Sequence, residues 1–232
     1  MHEENREQGI ILKVKNYSVS DKIITFISSS GKKSTFILKS IKSPKSRKAH
    51  AVDISNYVEI KTKSGYSMPL ITDIKLLDEF ETLKKDHNGI FYIQGLCEIA
   101  DNLAYEEVEN ESLYLDLLFL LQKCKSEEYK FLIAIFLIKH IQEAGYMPEV
   151  PDFQEGVCAS RETVGFYLRE EAGTFQINDE EYKVFKSILE REIDFTCRIK
   201  PSEKTINLLY ELAISWYQII TEKRFNSGIF IK

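Results

Sequence analysis

A run of lysine and arginine residues is the part of this sequence best suited to chemistry with a charged partner. Seven of the seventeen residues in the segment 32–48 are basic, and none is acidic. Side chains of this type neutralise phosphate groups without reading a base sequence. The run therefore predicts contact with a polyanion, although a lysine-rich strand edge that only prevents sheet aggregation would have the same composition.

Aromatic residues are interleaved with these cations, as in grooves that bind single-stranded nucleic acid. Such grooves combine cations for the phosphates with flat rings on which bases stack. We interpret Phe26 and Phe36 as core, whereas Tyr17, Tyr57 and Tyr66 are amphipathic and lie near predicted strand or turn ends. The predicted DNA-binding set is Lys32, Lys33, Lys39, Lys42, Lys45, Arg47, Lys48, Tyr17, Tyr57 and Tyr66.

Charge is divided unevenly along the chain. Residues 9–75 contain 13 basic and 4 acidic side chains, whereas residues 81–232 contain 17 basic and 27 acidic ones, so the net charge of −5 conceals a basic first third. Segregation of this kind is typical of a protein that presents one end to a polyanion. An acidic protein surface would attract the same cations, so a scaffold or interaction protein is the alternative function.

Patterns for catalysis or metal binding are weak. The sequence has no phosphate-binding glycine loop and no nucleophile elbow. Its cysteines stand singly, without the close pairs of a structural zinc site, at Cys97, Cys124, Cys158 and Cys197. We therefore predict that the protein is not an enzyme and carries no metal or other cofactor.

Two further groups of titratable residues have simple structural interpretations. Four glutamates at alternate or adjacent positions in the segment 106–111 are predicted to form a solvated turn between helices. His140 lies in an apolar helical pattern, which favours a core or boundary histidine over a metal ligand.

The elements that must position these residues change in type near Asp73. Before it, five short strands are predicted at 10–15, 23–28, 35–38, 57–61 and from Tyr66 onwards, with a polar basic loop at 42–48. Five strands in about 65 residues are typical of a small closed barrel such as the OB-fold. We predict an OB-fold domain over residues 1–78.

Helical periodicity dominates the remainder, which we predict to be an all-helical domain over residues 79–232. The helix that ends at Gly145 is apolar nearly all round and is expected at the centre of its domain. Asn178 and Glu181 have capping-box spacing, and Ser202 begins the last long helix. The segment 146–177 is irregular and is predicted to be an appendage. The fold class is thus α+β.

Membrane insertion is not predicted. The sequence contains no run of about eighteen apolar residues, the length that spans a bilayer. Its first residues, MHEENREQG, are polar and acidic, unlike a signal peptide. We expect a cytoplasmic protein without a membrane partner.

Six short motifs follow one another in the order of one bacterial family. They are a Gly-Ile-x-Leu-Lys strand, a Tyr-x-x-x-Asp turn, a Gly-Lys turn, a Lys-Ser-x-x-x-Arg loop, a Gly-Tyr-x-Pro helix end and a Lys-Arg-Phe sequence after the last helix. They occupy residues 9–13, 17–21, 31–32, 42–47, 145–148 and 223–225. In this order they resemble the bacterial recombination mediator family RecO.

The resemblance implies a DNA repair and homologous recombination protein that binds single- and double-stranded DNA and promotes annealing. It further implies that the protein works with RecR and helps load RecA onto strands covered by single-strand-binding protein (SSB). Many members of the family carry a four-cysteine zinc module after the Gly-Tyr-x-Pro turn. Here only Cys158 stands in that region, so we expect the appendage at 146–177 to be a degenerate, metal-free module.

The resemblance also implies that the helical domain receives the C-terminal tail of SSB, an acidic segment ending in an apolar residue. Such a tail needs an apolar pocket and a cation for its carboxylate. Because the domain is acidic, any site must be a local basic island, unless the lysines merely solvate a turn between helices. The predicted island consists of Lys123, Lys125 and Lys130, with Phe119, Leu120 and Tyr129 as apolar walls.

Overall fold

The computed structural model describes residues 4–41, 47–64, 68–123, 128–146, 156–168 and 173–227. The chain divides into two compact units, Met1–Cys124 and Lys125–Lys232. Strands give way to helices after Asp78, and the helices that follow as far as Lys123 belong to the first unit. The domain bounds of 1–78 and 79–232 therefore stay a prediction.

Five strands close into a barrel within the first unit. They are β1 (Glu4–Asn16), β2 (Lys22–Ser28), β3 (Lys33–Leu38), β4 (Tyr57–Lys63) and β5 (Leu70–Asp78). The order around the barrel is β1-β2-β3-β5-β4, with β4 pairing back to β1 and β3 running parallel to β5. This is a five-stranded OB-fold barrel, and the predicted fold class is confirmed.

Alternate side chains along the strands point into the barrel and fill its core. Ile24 and Phe26 of β2 point inward, and the ring of Phe26 meets that of Phe36 edge-on at 6.0 Å between centroids. Val58 and Ile60 of β4 join the same buried cluster, so the residues between them face outward. Phe26 and Phe36 are core residues, as predicted.

A short helix, α1 (Arg47–Ala51), stands where the sequence predicted the end of the basic loop. Ala51 and Val52 are buried in the barrel core, and the side-chain amide of Asn56 donates to the carbonyl oxygens of His50 and Ala51 at 3.1 Å each. The loop prediction was thus wrong for residues 47–48, because two apolar anchors and a side-chain cap stabilise a helical turn. Residues 42–46 lie outside the described chain.

Three further helices complete the first unit: α2 (Glu81–Lys85), α3 (His87–Leu103) and α4 (Glu111–Lys123). The Asp86 carboxylate accepts from the Gly89 amide at 2.9 Å, which starts α3 earlier than its apolar periodicity indicates. The Asn110 side chain accepts from the Leu113 amide at 3.0 Å and so caps the start of α4.

The second unit is built around α5 (Tyr129–Glu143), in which every residue from Phe131 to Ile138 is buried. The prediction that this helix lies at the centre of its domain is confirmed. Three helices follow: α6 (Asp179–Glu190), α7 (Ile193–Thr196) and α8 (Glu203–Thr221). Asn178 and Glu181 form the predicted capping box, and the Ser202 hydroxyl caps α8 by accepting from Thr205.

A small sheet occupies the described part of the predicted appendage. It contains β6 (Cys158–Ser160), β7 (Phe166–Tyr167) and β8 (Thr174–Gln176), in the order β7-β6-β8. The indole of Trp216 on α8 donates to the carbonyl oxygen of Ser160 at 2.8 Å, which joins this sheet to the helices of its own unit. No helix in the described ranges is both long and apolar enough to cross a membrane.

Candidate nucleic-acid interface

Lysine and β-branched residues cover the outer surface of β1, β2 and β3. Residues that pair across neighbouring strands point to the same side of a sheet. Because Ile24, Phe26 and Phe36 fill the core, the alternate positions face outward. The register places Lys13 beside Thr25 and Thr35, and Lys15 beside Ile23 and Ile37. We call this surface the strand face: Lys13, Lys15, Ile23, Thr25, Thr35 and Ile37.

Two loops are joined at one end of the strand face. The Ile41 amide donates to the carbonyl oxygen of Ser20 at 2.8 Å, and the Ser40 amide donates to the Asp21 carboxylate at 2.9 Å. This bond from Ser40 is the main reason why the pKa of Asp21 lies below its ordinary value. Tyr17, 64% exposed, and the exposed Lys39 belong to these two loops, so the structure brings two predicted site residues to the same end.

The turn between β2 and β3 is different because its lysines have acidic partners. The Lys33 ammonium donates to the carbonyl oxygen of Asp101 at 2.6 Å and lies 3.6 Å from its carboxylate. Lys32 forms an ion pair with Glu107, which raises the pKa of Lys32. The Glu107 amide also donates to the carbonyl oxygen of Lys33, next to a β-bridge between Lys33 and Glu106. We call this cluster the paired turn: Lys32, Lys33, Asp101, Glu106 and Glu107.

Gly31 allows the glutamate-rich segment 106–111 to approach the turn between β2 and β3. Its φ is +77°, and a Cβ atom added there would lie 1.8 Å from the carbonyl oxygen of Asn110. Only glycine accommodates both the left-handed backbone and this close approach. Glu106, Glu107 and Glu109 are exposed as predicted, but Glu107 also binds a lysine of the barrel.

A cleft with a cavity volume of about 860 Å³ opens beside the paired turn. Its charged lining residues are Lys32, Lys33, Glu7, Glu106 and Glu107. Carboxylates therefore outnumber ammonium groups in the cleft, which disfavours a phosphate there. Two of the predicted phosphate-binding lysines thus lie where carboxylates predominate.

The remaining predicted cations lie elsewhere or outside the described chain. Lys48 donates to the carbonyl oxygen of Thr72 at 3.3 Å and forms a 3.0 Å ion pair with Asp73, which lowers the pKa of that carboxyl. Arg47 is the first residue of α1, and its side chain is not described. Lys42, Lys45 and Tyr66 lie outside the described residues.

Tyr57 is not part of the strand face. It lies on β4, half-buried, and its hydroxyl donates to the side-chain oxygen of Gln8 at 2.9 Å. Conversely, Lys13 and Lys15 are absent from the predicted set although they are exposed on β1. The alternation of residues 10–15 could have identified them, since Lys13 and Lys15 share the outward side of that strand.

The apolar walls of the predicted SSB-tail site are mostly buried. Leu120 is 1% exposed, and its carbonyl oxygen accepts from the Tyr92 hydroxyl at 3.3 Å. Tyr129 is 5% exposed, whereas Phe119 is half-buried. In this conformation neither Leu120 nor Tyr129 presents a surface to a peptide.

Two of the three lysines of that predicted island, Lys123 and Lys130, lie within the described residues. Lys123 is exposed in the last turn of α4, and Lys125 lies outside the described chain. Lys130 donates to the side-chain oxygen of Asn207 at 3.0 Å. The island therefore stays a prediction.

Cys158 and His140, the two residues considered for a metal site, are both buried. The Cys158 thiol is buried and donates to the carbonyl oxygen of Gly156 at 3.3 Å. His140 is buried, with its Nδ1 atom 2.8 Å from the Glu143 carboxylate and its ring edge-on to Phe136. His140 is a core histidine as predicted, and the absence of zinc from the protein stays a prediction.

Comparison with known proteins connects both halves of the chain to one family. The family described as Recombination protein O N terminal matches residues 1–80, and Recombination protein O C terminal matches residues 85–228. DNA repair protein RecO of Acetivibrio thermocellus is 21% identical over 243 residues, which cover 98% of this chain and 96% of that protein.

Two other relatives are similar over a shorter segment. DNA repair protein RecO of Symbiobacterium thermophilum is 25% identical over 144 residues, covering 61% of this chain and 57% of that protein. The protein of the same name from Clostridium perfringens is 29% identical over 143 residues, covering 60% of this chain and 57% of the relative. These two matches thus span less than two thirds of the relatives' length.

Proposed function

This chain belongs to the recombination protein O (RecO) family, and on that premise we propose that it acts in DNA repair and homologous recombination in the cytoplasm. In this proposal it binds single- and double-stranded DNA without sequence specificity and is not an enzyme. It promotes annealing and, together with RecR, helps load RecA onto strands covered by SSB. The names of its relatives support the repair role.

The observation that carries the proposal is the strand face with its joined loops. Oligonucleotides bind OB-folds across strands β2 and β3 and the adjoining loops. Lys15 supplies an exposed cation on this surface, whereas the ammonium of Lys13 lies 3.4 Å from the Asp101 carboxylate. Ile23 and Ile37 are half-buried apolar groups beside Lys15. Tyr17 at the loop end gives an exposed ring on which a base can stack.

The composition of the strand face favours binding that ignores base sequence. Direct readout of bases uses planar groups, chiefly Arg to guanine and Asn or Gln to adenine. The six residues of the strand face are two lysines, two isoleucines and two threonines. Lysine acts as a flexible point charge, which suits phosphate contact.

RecR and the C-terminal tail of SSB are partners in this proposal. Family membership supports them, and the predicted basic island of Lys123, Lys125 and Lys130 is the surface assigned to the tail. Binding of the tail peptide to the wild type and to a triple charge-reversal variant at these positions tests that assignment. Equal binding by both proteins would place the tail elsewhere.

The alternative function is a scaffold whose basic barrel binds an acidic protein. The paired turn favours this alternative, because it shows that carboxylates bind barrel lysines within this chain. Competition between poly-glutamate and DNA for binding to the protein distinguishes the two functions. A scaffold would bind poly-glutamate as tightly as DNA of equal charge, whereas stacking on Tyr17 would favour DNA.

The experiment is a salt titration of binding to single-stranded oligonucleotides of unrelated sequence, followed by fluorescence anisotropy. We compare the wild type with Lys15→Gln/Lys39→Gln and with the matched control Lys183→Gln/Lys186→Gln on α6, which removes the same charge. The variant Lys15→Gln/Lys39→Gln, which changes the strand face and one of its joined loops, should bind all sequences more weakly. Its slope of log affinity against log salt should fall by about 0.7 for each phosphate that is no longer neutralised. Affinity and slope equal to those of the control variant would refute the strand face as the interface.

A further inference from the structure

A second group of cations lies on the outer surfaces of β4, β5 and the first part of β1, and all of its members except Lys48 stand outside the basic run 32–48. The register places Arg6 beside Lys61 and Asp73, and Gln8 beside Glu59 and Lys75. These positions alternate with core residues, so their side chains face outward. Lys48 of α1 reaches the same surface through its ion pair with Asp73. We call it the hairpin face: Arg6, Lys48, Glu59, Lys61, Asp73 and Lys75.

Cations exceed carboxylates on the hairpin face. The Arg6 guanidinium donates to Glu59 at 2.6 Å, and the Gln8 amide donates to the other Glu59 oxygen at 3.3 Å. These contacts lower the pKa of Glu59, chiefly through the bond from Arg6. Asp73 is engaged by Lys48, so both carboxylates of the face already have a cationic partner.

Lys61 and Lys75 remain as the surplus charge of the hairpin face. Both are exposed, and neither has an ion pair within 4 Å among the residues that the structure describes. The Arg6 and Lys48 side chains are also 62% and 53% exposed despite their partners. The hairpin face therefore presents a positive potential to solvent, in contrast to the paired turn, where carboxylates predominate.

Protection of a sheet edge does not explain Lys61, which lies on β4. Lysine blunts strands whose backbone groups lack a neighbour. Here β4 pairs with β1 on one side and with β5 on the other, so it has no edge to protect. Lys61 thus has a different role from the edge lysines considered for the sequence run.

The hairpin face and the strand face point in different directions. Residues 9–16 of β1 pair with β2, whereas residues 4–10 pair with β4. In the closed order β1-β2-β3-β5-β4, the arc of β2 and β3 lies across the barrel from β4. A nucleic acid strand on one face therefore leaves the other face accessible.

We propose that the hairpin face binds the phosphate backbone of a second DNA strand while the strand face holds the first. This inference rests on the proposed function. The outward residues of the hairpin face are all polar, and Tyr57 beside them is tied to Gln8 through its hydroxyl. Contact is thus made to phosphates and not by stacking, which leaves the bases of the second strand available for pairing. Neutralising two backbones on one barrel lowers the repulsion that opposes annealing.

Energy transfer between two strands that cannot pair tests this proposal. One oligothymidine carries a donor and the other an acceptor, and single-strand anisotropy is measured in parallel. The wild type should give energy transfer, and Lys61→Gln/Lys75→Gln should lose it while single-strand affinity stays within about threefold of wild type. The single variant Lys75→Gln should give an intermediate signal, and the control Lys183→Gln/Lys186→Gln should match the wild type.

The outcomes separate this proposal from the proposed function. A wild-type protein that binds no single strand would contradict the function itself. Normal single-strand binding with no energy transfer, or with energy transfer retained in Lys61→Gln/Lys75→Gln, would overturn only the second face. Sedimentation of the wild type and of Lys61→Gln/Lys75→Gln shows whether the substitutions disrupt a contact between two copies of the protein. Loss of energy transfer together with a change of oligomeric state would also overturn the proposal.

Discussion

The paired turn and the strand face lie on the same barrel but use lysine in opposite ways. Lys32 and Lys33 are held by Glu107 and Asp101, and the Lys33 side chain is only 13% exposed. Lys15 is exposed, and the structure as described gives it no ion pair. Lys13 is intermediate, since it is 47% exposed and lies 3.4 Å from Asp101.

The difference teaches that a lysine of the barrel is available to DNA only where no later element supplies a carboxylate. Asp101 follows Lys33 by 68 residues and is placed by the end of α3. An ion pair of this type is worth little in isolation when exposed. It nevertheless competes with a phosphate for the same ammonium group, so the two regions should differ in their contribution to DNA binding.

The largest expected effect is on stability and comes from a substitution at Gly31, where the segment 106–111 packs against the turn between β2 and β3. Gly31→Ala places a Cβ in a left-handed backbone and against the carbonyl oxygen of Asn110. We expect it to lower the free energy of unfolding by about 2–5 kcal/mol, from backbone strain and overpacking together. Urea denaturation followed by circular dichroism measures this change.

Gly145→Ala is the matched control for that variant. Gly145 has a similar φ of +81°, but no atom lies within 4 Å of its added Cβ. Gly145→Ala should therefore lower the free energy of unfolding by about 1–2 kcal/mol, the cost of the left-handed backbone alone. Equal destabilisation by the two substitutions would mean that the approach of Asn110 to the turn contributes nothing to stability.

Much of the barrel could be predicted from sequence because its signals are local. Alternating Ile24 and Phe26 on β2 indicate an inward side, and the turn at Gly31 separates β2 from β3. The capping box of Asn178 and Glu181 is likewise a local pattern and is confirmed. The helix α1 escaped prediction because it depends on burial of Ala51 and on the cap from Asn56, which are tertiary contacts.

The candidate site was less predictable because it depends on which charges meet. Sequence identifies Lys32 and Lys33 as cations but gives no sign that Glu107 and Asp101 approach them. Lys15 stands outside the basic run, and only its outward position on β1 distinguishes it. Local density of charge is visible in a sequence, whereas pairing of charge is a property of the fold.

Removal of the acidic partners should convert the paired turn into a surface that binds DNA. Glu106→Gln/Glu107→Gln releases Lys32 and lowers the negative charge of the cleft. We expect tighter binding of single-stranded DNA and a slope of log affinity against log salt that is steeper by up to about 0.7, the value for one additional neutralised phosphate.

The control for that increase in affinity is Glu190→Gln/Glu192→Gln, which changes the net charge equally through two exposed residues of the second unit. Any increase shared by the two variants reflects net charge alone. If the salt dependence of Glu106→Gln/Glu107→Gln does not exceed that of this control, then Glu106 and Glu107 do not compete with DNA for the lysines.

The smallest expected effect concerns the loop end of the strand face. Asp21 accepts from the Ser40 amide, and its pKa is lower than the ordinary value of 3.8 chiefly because of this bond. A carboxyl group whose pKa is depressed by folding stabilises the protein above its unfolded-state pKa, and this stabilisation disappears as pH falls through the folded-state pKa. The contribution of Asp21 is therefore complete at neutral pH and declines below about pH 3.8.

Asp21→Ala tests this contribution because it removes both the charge and the acceptor. The variant should unfold at a slightly lower urea concentration than the wild type at neutral pH, and the difference should shrink as the pH is lowered past the pKa of Asp21. Asp21→Asn keeps an acceptor for the Ser40 amide without the charge, so it should lie between the two proteins at neutral pH. The charge of Lys39 also lowers the pKa of Asp21, more weakly than the bond from Ser40, and high salt should screen this effect. A difference between wild type and Asp21→Ala that is constant across this pH range would show that the two loops are held together by contacts other than the ionised Asp21.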